Sequence, residues 1–230
     1  MKQYTELKEK EFVFNNNINI LRENNKTIYH SSTSAYTINF VDTFDKPYLF
    51  KMERGIYKAF FKPINQVGIE EKTENETRFN VKAELKETRY SPTNILRDRI
   101  LYRSFMTGSD LQYTVQNDFV KEEIIINQKQ DNYEYAYIMK LENLEPHLGD
   151  DGTISFLSTD DIQNGKVIFD ILQPIIYDAN GAVPNKTKFT LYNQLSDTYL
   201  LRLSTNIQLN DPDESVFPFV LVLEHRALNN

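Results

Sequence analysis

The residues of this chain that could do acid–base or metal chemistry are widely spaced, and the histidines show this best. The sequence contains His30, His147 and His225, and none has a second histidine at a spacing that would let both bind one metal ion. Each stands in a different local context, so the pattern favours surface or turn positions over metal binding. His225 follows the last predicted strand, and we expect its imidazole to face solvent.

Two acidic pairs offer the best metal-binding chemistry in the sequence. Asp150 and Asp151 precede one short predicted strand, and Asp160 and Asp161 follow it. Carboxylates grouped near one hairpin would suit a hard cation such as Ca²⁺, which takes several oxygen ligands. Their spacing does not match an EF-hand, and Asp-Asp-Gly is common in β-turns. We therefore predict no bound metal and no cofactor, and keep these residues as weak metal candidates.

The usual sequence signatures of catalysis do not occur. Ser109 lies in Thr-Gly-Ser-Asp, which is not a nucleophile elbow. No P-loop or Gly-x-Gly-x-x-Gly fingerprint is present, and 7 glycines are few for phosphate-binding loops. The lack of cysteine excludes disulfides, thiol catalysis and cysteine-bound zinc. Asp and Glu are abundant, but spacing cannot reveal a glycosidase pair, because its two carboxylates come from different strands. We predict that the chain is not an enzyme.

Tyr133, Tyr135 and Tyr137 form an alternating row, the most suggestive feature of the sequence. On an exposed sheet face this tyrosine row would make a stacking platform for sugar rings or a partner, because tyrosine joins an apolar ring to a polar tip. The alternative is that the row packs beneath a second sheet, since tyrosine favours half-buried strands. Core packing is the favoured interpretation, and the absence of tryptophan weakens the sugar hypothesis.

Short strands must position these residues. Apolar and polar residues alternate over residues 111–115, 120–126 and 133–141, which is typical of half-buried antiparallel strands. In the second run Glu122 stands out, because it falls on the same face as the apolar residues. About a dozen such candidates are separated by turns rich in Asn, Asp and Gly, of which residues 178–181 are the strongest example.

This pattern predicts an all-β fold, an antiparallel β-sandwich-like module of two packed sheets. A hydrophobic content of 40% is enough for a substantial core. A helical turn or two is expected over residues 94–102, so we predict at most one or two short helices. No Pro- or Gly-rich linker or fixed repeat occurs, which predicts a single domain over residues 1–230. A weak alternative boundary lies near residues 70–76.

Charge and hydropathy exclude several kinds of partner. The chain has 26 Lys and Arg against 33 Asp and Glu, a net charge of −7. An acidic surface does not suit a nucleic-acid backbone or an anionic membrane. No apolar run approaches the roughly 18–20 residues of a transmembrane helix. We expect no nucleic acid and no membrane insertion, and we expect a protein partner or self-assembly, with a glycan as a further option.

One part of the sequence resembles a known family. Asp110-Leu111-Gln112-Tyr113-Thr114-Val115, followed by Val120-Lys121-Glu122, looks like the "DLxYxVxxxxVKExIIL" segment in the N-terminal region of RHS/YD-repeat, DNRLRE-type cell-wall-associated proteins of Gram-positive bacteria. Asp151-Gly152-Thr153-Ile154 is similar to the family's "DGTI" hairpin, and residues 174–181 are similar to its "P-x-x-x-D-x-x-G" segment. The resemblance covers residues 100–223 well and residues 34–62 loosely. Phe217-Pro218-Phe219-Val220 departs from it, since the family's "IDP" is missing, and the chain carries no YD repeats or toxin domain.

The resemblance implies a function as well as a fold. In that family the region is a β-rich module beside the repeats, and it is not the catalytic part. A non-catalytic structural or interaction module of a bacterial surface, secreted or multi-protein assembly is therefore expected, with no site residues carried over. The resemblance also implies a cell-surface or secreted location. It is the only support for that location, because no signal-peptide h-region is visible in the sequence. The alternatives are a carbohydrate-binding module that uses an exposed tyrosine row, and an enzyme of unrecognised type.

Overall fold

The computed structural model describes residues 17–23, 26–64, 81–90, 95–106, 108–130, 133–160, 165–178, 181–183, 187–205 and 217–228. Within these ranges the chain forms eighteen β-strands and no α-helix. The first nine strands are β1 (Asn19–Glu23), β2 (Lys26–Ser32), β3 (Thr37–Val41), β4 (Phe50–Arg54), β5 (Tyr57–Ile64), β6 (Ala83–Arg89), β7 (Ile95–Met106), β8 (Ser109–Val115) and β9 (Phe119–Ile126). The other nine are β10 (Glu134–Glu142), β11 (Leu144–Leu148), β12 (Ile154–Ser158), β13 (Val167–Ile171), β14 (Ile175–Asp178), β15 (Gly181–Val183), β16 (Lys188–Leu195), β17 (Thr198–Ser204) and β18 (Phe219–Ala227).

The strands pair antiparallel into two large sheets. The eight-stranded sheet has the order β1-β2-β3-β4-β5-β10-β17-β16. The ten-stranded sheet has the order β11-β12-β13-β18-β9-β8-β7-β6, with the β14–β15 hairpin joined to β18 beside this path. The prediction of an all-β fold built from two packed antiparallel sheets is confirmed. Both sheets mix early and late parts of the chain, since β10 lies between β5 and β17, and β18 lies between β13 and β9. The alternative boundary near residues 70–76 lies outside the described residues.

Alternation along the strands builds the core. In β9 the even-numbered residues are buried and the odd-numbered residues are partly exposed. β10 buries Tyr135, Tyr137, Met139 and Leu141 on the face that meets the other sheet. Buried side chains from both sheets join in one hydrophobic core. The period of two therefore decides which face of each strand is apolar, as the sequence pattern predicts.

Core tyrosines also join the two sheets through their hydroxyl groups. The Tyr36 hydroxyl, just before β3, lies 2.7 Å from the carbonyl oxygen of Gln116 in the β8–β9 turn. The Tyr102 hydroxyl of β7 donates to the carbonyl oxygen of Val41 on β3 at 2.6 Å. An apolar ring with a polar tip can fill core volume and still find a hydrogen-bond partner, which suits a core rich in tyrosine.

The region expected to be helical is a strand. Residues 95–106 form β7, so the prediction of a helical turn over residues 94–102 is wrong for the described part of that segment. Leu96, Ile100 and Tyr102 are buried at even positions between β6 and β8. Packing against neighbouring strands overrides the weak local helix preference. No helix within the described ranges is long and apolar enough to cross a membrane.

The hairpins follow their turn residues. Asp178 pairs with Gly181 across the β14–β15 hairpin, as the predicted turn over residues 178–181 requires, and residues 179–180 lie outside the described residues. Gly108 opens β8 with a φ of 71°. A Cβ atom at Gly108 would lie 2.5 Å from Cγ of Gln128, an exposed side chain that can move away, so the left-handed backbone conformation is what favours glycine here.

Candidate functional site

A buried polar cluster, formed by Glu122, Tyr137 and His225, lies between the two sheets. Glu122 comes from β9 and His225 from its neighbour β18, whereas Tyr137 reaches them from β10 of the opposite sheet. The Tyr137 hydroxyl donates to Oε1 of Glu122 at 2.6 Å. Nε2 of His225 lies 2.7 Å from Oε2 of Glu122. A single carboxylate therefore joins three strands across the core.

Strand register brings these groups together. Glu122 pairs with Leu223 and Val120 pairs with His225 between β9 and β18, so Glu122 and His225 are diagonal neighbours on one face. On the other side of β9, Glu122 pairs directly with Tyr113 of β8. The alternation that buries the apolar residues of β9 buries Glu122 with them.

Aromatic rings enclose the polar cluster. The imidazole of His225 lies with its ring centroid 5.2 Å from that of Phe50 and 5.1 Å from that of Phe61, both in edge-to-face arrangements. Glu122, Tyr137 and His225 are only 0%, 2% and 3% exposed. An uncompensated charge is costly in such surroundings, so the Glu122 carboxylate depends on its hydrogen-bond donors.

Burial and the charge on Glu122 keep the neighbouring tyrosines protonated. Burial raises the pKa of Tyr137 well above its usual range, and the negative charge of Glu122 raises it further. The same two causes raise the pKa of Tyr113. Tyr137 is therefore a neutral phenol that can donate to the carboxylate. Nδ1 of His225 is buried and has no hydrogen-bond partner within the described part of the chain.

The polar cluster is a crosslink of the core. A carboxylate, an imidazole and a phenol at these distances are able to exchange protons. Exposures of at most 3% keep a substrate from reaching any of the three side chains in this conformation. The prediction that His225 faces solvent is wrong, because β18 extends to Ala227 and places His225 in phase with the buried residues Leu221 and Leu223.

The tyrosine row lines the core. Tyr133, Tyr135 and Tyr137 are 8%, 2% and 2% exposed, respectively. Burial raises the pKa of Tyr135, and the backbone N–H of Gln130 donates to the Tyr133 hydroxyl at 3.1 Å. The core-packing interpretation is confirmed. The alternative of an exposed stacking platform is corrected, because β10 is a central strand and this face of it meets the other sheet.

The acidic metal candidates lie at surface turns. Asp150 and Asp151 are exposed, and Oδ1 of Asp151 accepts a hydrogen bond from the backbone N–H of Thr153 at 2.9 Å. Asp160 is exposed, and Asp161 lies outside the described residues. Across the described residues, no three His, Cys, Asp or Glu side chains form a group that could hold a metal ion. Asp151 thus stabilises a turn through an Asx-type hydrogen bond.

An open groove lies on the outer face of the ten-stranded sheet, on the side of β9 and β18 that faces away from the polar cluster. Its volume is about 380 Å³. Its floor is apolar, because β14 places Ile175 beside Val222 and Tyr177 beside Val220. Ile175 is 47% exposed and Tyr177 is 39% exposed. These side chains stand together on a solvent-facing surface, where an antiparallel sheet normally places polar residues.

Charged side chains border this groove. Nζ of Lys121 lies 2.5 Å from Oε1 of Glu123, and the Gln112 amide donates to Oε2 of Glu123 at 2.7 Å. Both carboxylate oxygens of Glu123 are therefore engaged. Glu224 pairs with Lys121 in the register of β18 and β9 and lines the same groove. With two carboxylates and one ammonium group, the rim carries a net negative charge.

Outer positions elsewhere on this face form ion pairs. Arg226 binds both oxygens of Asp170, at 2.8 and 2.5 Å. At the opposite end of the strand order, Arg103 of β7 lies 3.1 Å from Glu84 of β6. These outer positions are charged, unlike the floor of the groove, and no sequence pattern had marked the floor residues as a site.

Comparisons with known proteins find no relative: no protein-family model, no curated protein and no solved structure matches the chain.

Proposed function

We propose that the chain is a non-catalytic structural or interaction module of a bacterial surface, secreted or multi-protein assembly. The observation that carries this proposal is the difference between the two faces of β9 and β18. Glu122 and His225, which could transfer protons, are enclosed in the core, whereas the outer face presents an apolar groove to solvent. Contiguous exposed apolar side chains are a feature of interaction sites.

The resemblance to the N-terminal region of RHS/YD-repeat, DNRLRE-type proteins supports the same role. In that family the region is a β-rich module beside the repeats. The resemblance is clearest over residues 100–223, which include most of the strands that carry the groove. A module of this kind acts through its surface, so the groove is the part of the molecule to test first.

A carbohydrate-binding role ranks below a protein partner. The tyrosine row that motivated it is buried, which leaves Tyr177 as the aromatic ring at the groove. The other floor residues, Ile175, Val220 and Val222, are branched aliphatic side chains. They lack the flat aromatic face on which a sugar ring stacks, and they suit apolar side chains of a polypeptide instead.

Site-specific photo-crosslinking in the organism that encodes the chain tests the proposed function. A photoreactive phenylalanine analogue replaces one exposed apolar residue at a time, at Ile56, Tyr90, Ile175 or Leu195. We expect a discrete adduct from at least one position, identified by mass spectrometry and reproduced with the purified components. The chain without the analogue is the control. If none of the four positions yields a reproducible adduct, the module has no stable partner and the proposal fails.

A further inference from the structure

The floor of the groove is held in place by the sheet. Ile176 lies between Ile175 and Tyr177 and is 0% exposed, so it fixes β14 to the core while its two neighbours point outward. Val220 and Val222 belong to β18, which pairs along most of its length with β9. The apolar floor therefore exists before any ligand binds, and little conformational entropy is lost on binding.

The rim has one carboxylate available for a cationic ligand. Glu123 is engaged by Lys121 and Gln112. Arg226, the basic residue of β18, interacts electrostatically with Glu224 but binds Asp170 through both carboxylate oxygens. Glu224 thus adds negative charge to a groove whose one ammonium group already has a partner. A basic group is favoured beside Glu224, and an anionic ligand is disfavoured.

The volume of the groove and the chemistry of its lining side chains indicate the class of ligand. A volume of about 380 Å³ can hold a few side chains of an extended segment. Aliphatic floor residues favour apolar side chains, and the negative rim favours Lys or Arg. We propose that this groove binds a polypeptide segment that places an apolar side chain against Ile175 and Tyr177 and a lysine or arginine beside Glu224. This inference rests on the proposed function and names the chemistry of its partner.

Selection from a displayed library of random peptides tests this inference. The purified full chain is immobilised, and enriched peptides are sequenced and synthesised. We expect a shared apolar residue close to a Lys or Arg. Isothermal titration calorimetry then measures the Kd of the consensus peptide. Tyr177→Ser and Glu224→Lys should each weaken binding about tenfold or more, because one removes an apolar contact and the other reverses the complementary charge.

The control is Tyr192→Ser, since Tyr192 is 45% exposed on an edge strand of the eight-stranded sheet, whereas the groove lies on the ten-stranded sheet. It should leave the Kd within about twofold. Circular dichroism must show that each variant is folded. Raised salt should weaken binding to the wild type, because the contact with Glu224 is partly exposed and is screened.

Several results would overturn the inference. These are an acidic consensus, no enriched peptide, or peptide binding that Tyr177→Ser and Glu224→Lys leave unchanged. Glycan-array binding that Tyr177→Ser abolishes, without peptide binding, would assign the groove to a sugar. Failure of this inference does not decide the proposed function. A photo-crosslinked partner at Ile56, Tyr90 or Leu195 would preserve the module role even when the groove binds no peptide.

Discussion

Glu122 and Glu123 are adjacent in the chain and chemically identical, yet they lie on opposite faces of β9. Glu122 points into the core, where it is 0% exposed and binds Tyr137 and His225. Glu123 points outward, where it binds Lys121 and Gln112 at the rim of the groove. A step of one residue moves a side chain to the other face of a sheet, so position along the strand decides the role of a carboxylate here.

The same kind of interaction contributes very differently to stability in the two environments. A buried carboxylate has given up its hydration, and each donor that is removed leaves an unsatisfied polar group in an apolar medium. Glu123 is only partly buried, with 14% of its side chain exposed, so water can replace a lost partner and its ion pair contributes less to stability. Paired substitutions on the two faces therefore measure how far burial, rather than chemistry, controls these residues.

The largest difference is expected between Glu122→Ala and Glu123→Ala. Glu122→Ala leaves Tyr137 and His225 without their partner and opens space in the core, so the free energy of unfolding should fall by about 3–5 kcal/mol. Glu123→Ala should cost less, about 1–2 kcal/mol, because 14% of its side chain is exposed and water can reach the partners that it leaves. Urea denaturation of both variants measures the two costs. Equal costs would mean that Glu122 is not the centre of the core crosslink.

A second comparison sets two substitutions in the core against one tyrosine substitution outside the sandwich. Tyr135→Ala should lower the free energy of unfolding by about 3–5 kcal/mol through lost burial and a cavity. Ile124→Ala, at a position that is 0% exposed, should cost about 2–5 kcal/mol for the same reason. Tyr177→Ala should stay within about 1 kcal/mol of the wild type, because its ring is partly in solvent.

Urea denaturation also decides this second comparison. A Tyr135→Ala variant as stable as the wild type would contradict burial of the tyrosine row. A large loss in Tyr177→Ala would show that the groove floor is part of the core and is not a free surface.

A smaller effect is expected from Tyr137→Phe, which removes one hydroxyl and keeps the ring. The Glu122 carboxylate then loses the donor to Oε1, and the free energy of unfolding should fall by about 1–3 kcal/mol. Thermal and urea unfolding measure the loss. The matched control is Tyr192→Phe at the exposed edge of the eight-stranded sheet, which should change stability by about 0.5 kcal/mol at most. A Tyr137→Phe variant as stable as this control would show that the bond between Tyr137 and Glu122 contributes nothing.

Alternation made the centre of the fold predictable. The core-facing residues of β8, β9 and β10 can all be read from the period of two in the sequence, because half-burial imposes that period. β7 was harder to predict, since Leu96 and Ile100 are four residues apart and fit one face of a helix equally well. Only pairing with β6 and β8, which is non-local, settles that this segment is a strand.

The sites were much less predictable than the fold. The sequence marks Glu122 as an acid on an apolar face, but its partner His225 lies 103 residues away. Their contact depends on β18 pairing with β9, and the contact with Tyr137 depends on how the sheets face each other. The groove likewise requires β14 to pair with β18, which no local pattern encodes. Local patterns specify faces, whereas sheet order specifies which faces meet.

The dependence of stability on pH tests the burial of the core tyrosines. Burial raises the pKa of Tyr102, Tyr113 and Tyr137 in the folded protein. In the unfolded chain, tyrosine loses its proton near pH 10. Above that pH the unfolded state holds fewer protons than the folded state, so the free energy of unfolding falls as pH rises, by about 1.4 kcal/mol per pH unit for each such tyrosine. The loss continues until the pH reaches the raised pKa of the folded state.

Tyr137→Phe removes one of these tyrosines, so its stability above pH 10 should decline less steeply than that of the wild type, by about 1.4 kcal/mol per pH unit. Urea denaturation at closely spaced pH values from 7 to 11 measures both slopes, and the two curves should run parallel below pH 9. Identical slopes above pH 10 would show that the Tyr137 hydroxyl ionises in the folded protein as easily as in the unfolded chain. That result is incompatible with a neutral phenol donating to an enclosed carboxylate, because a phenolate next to Glu122 would place two like charges in the core.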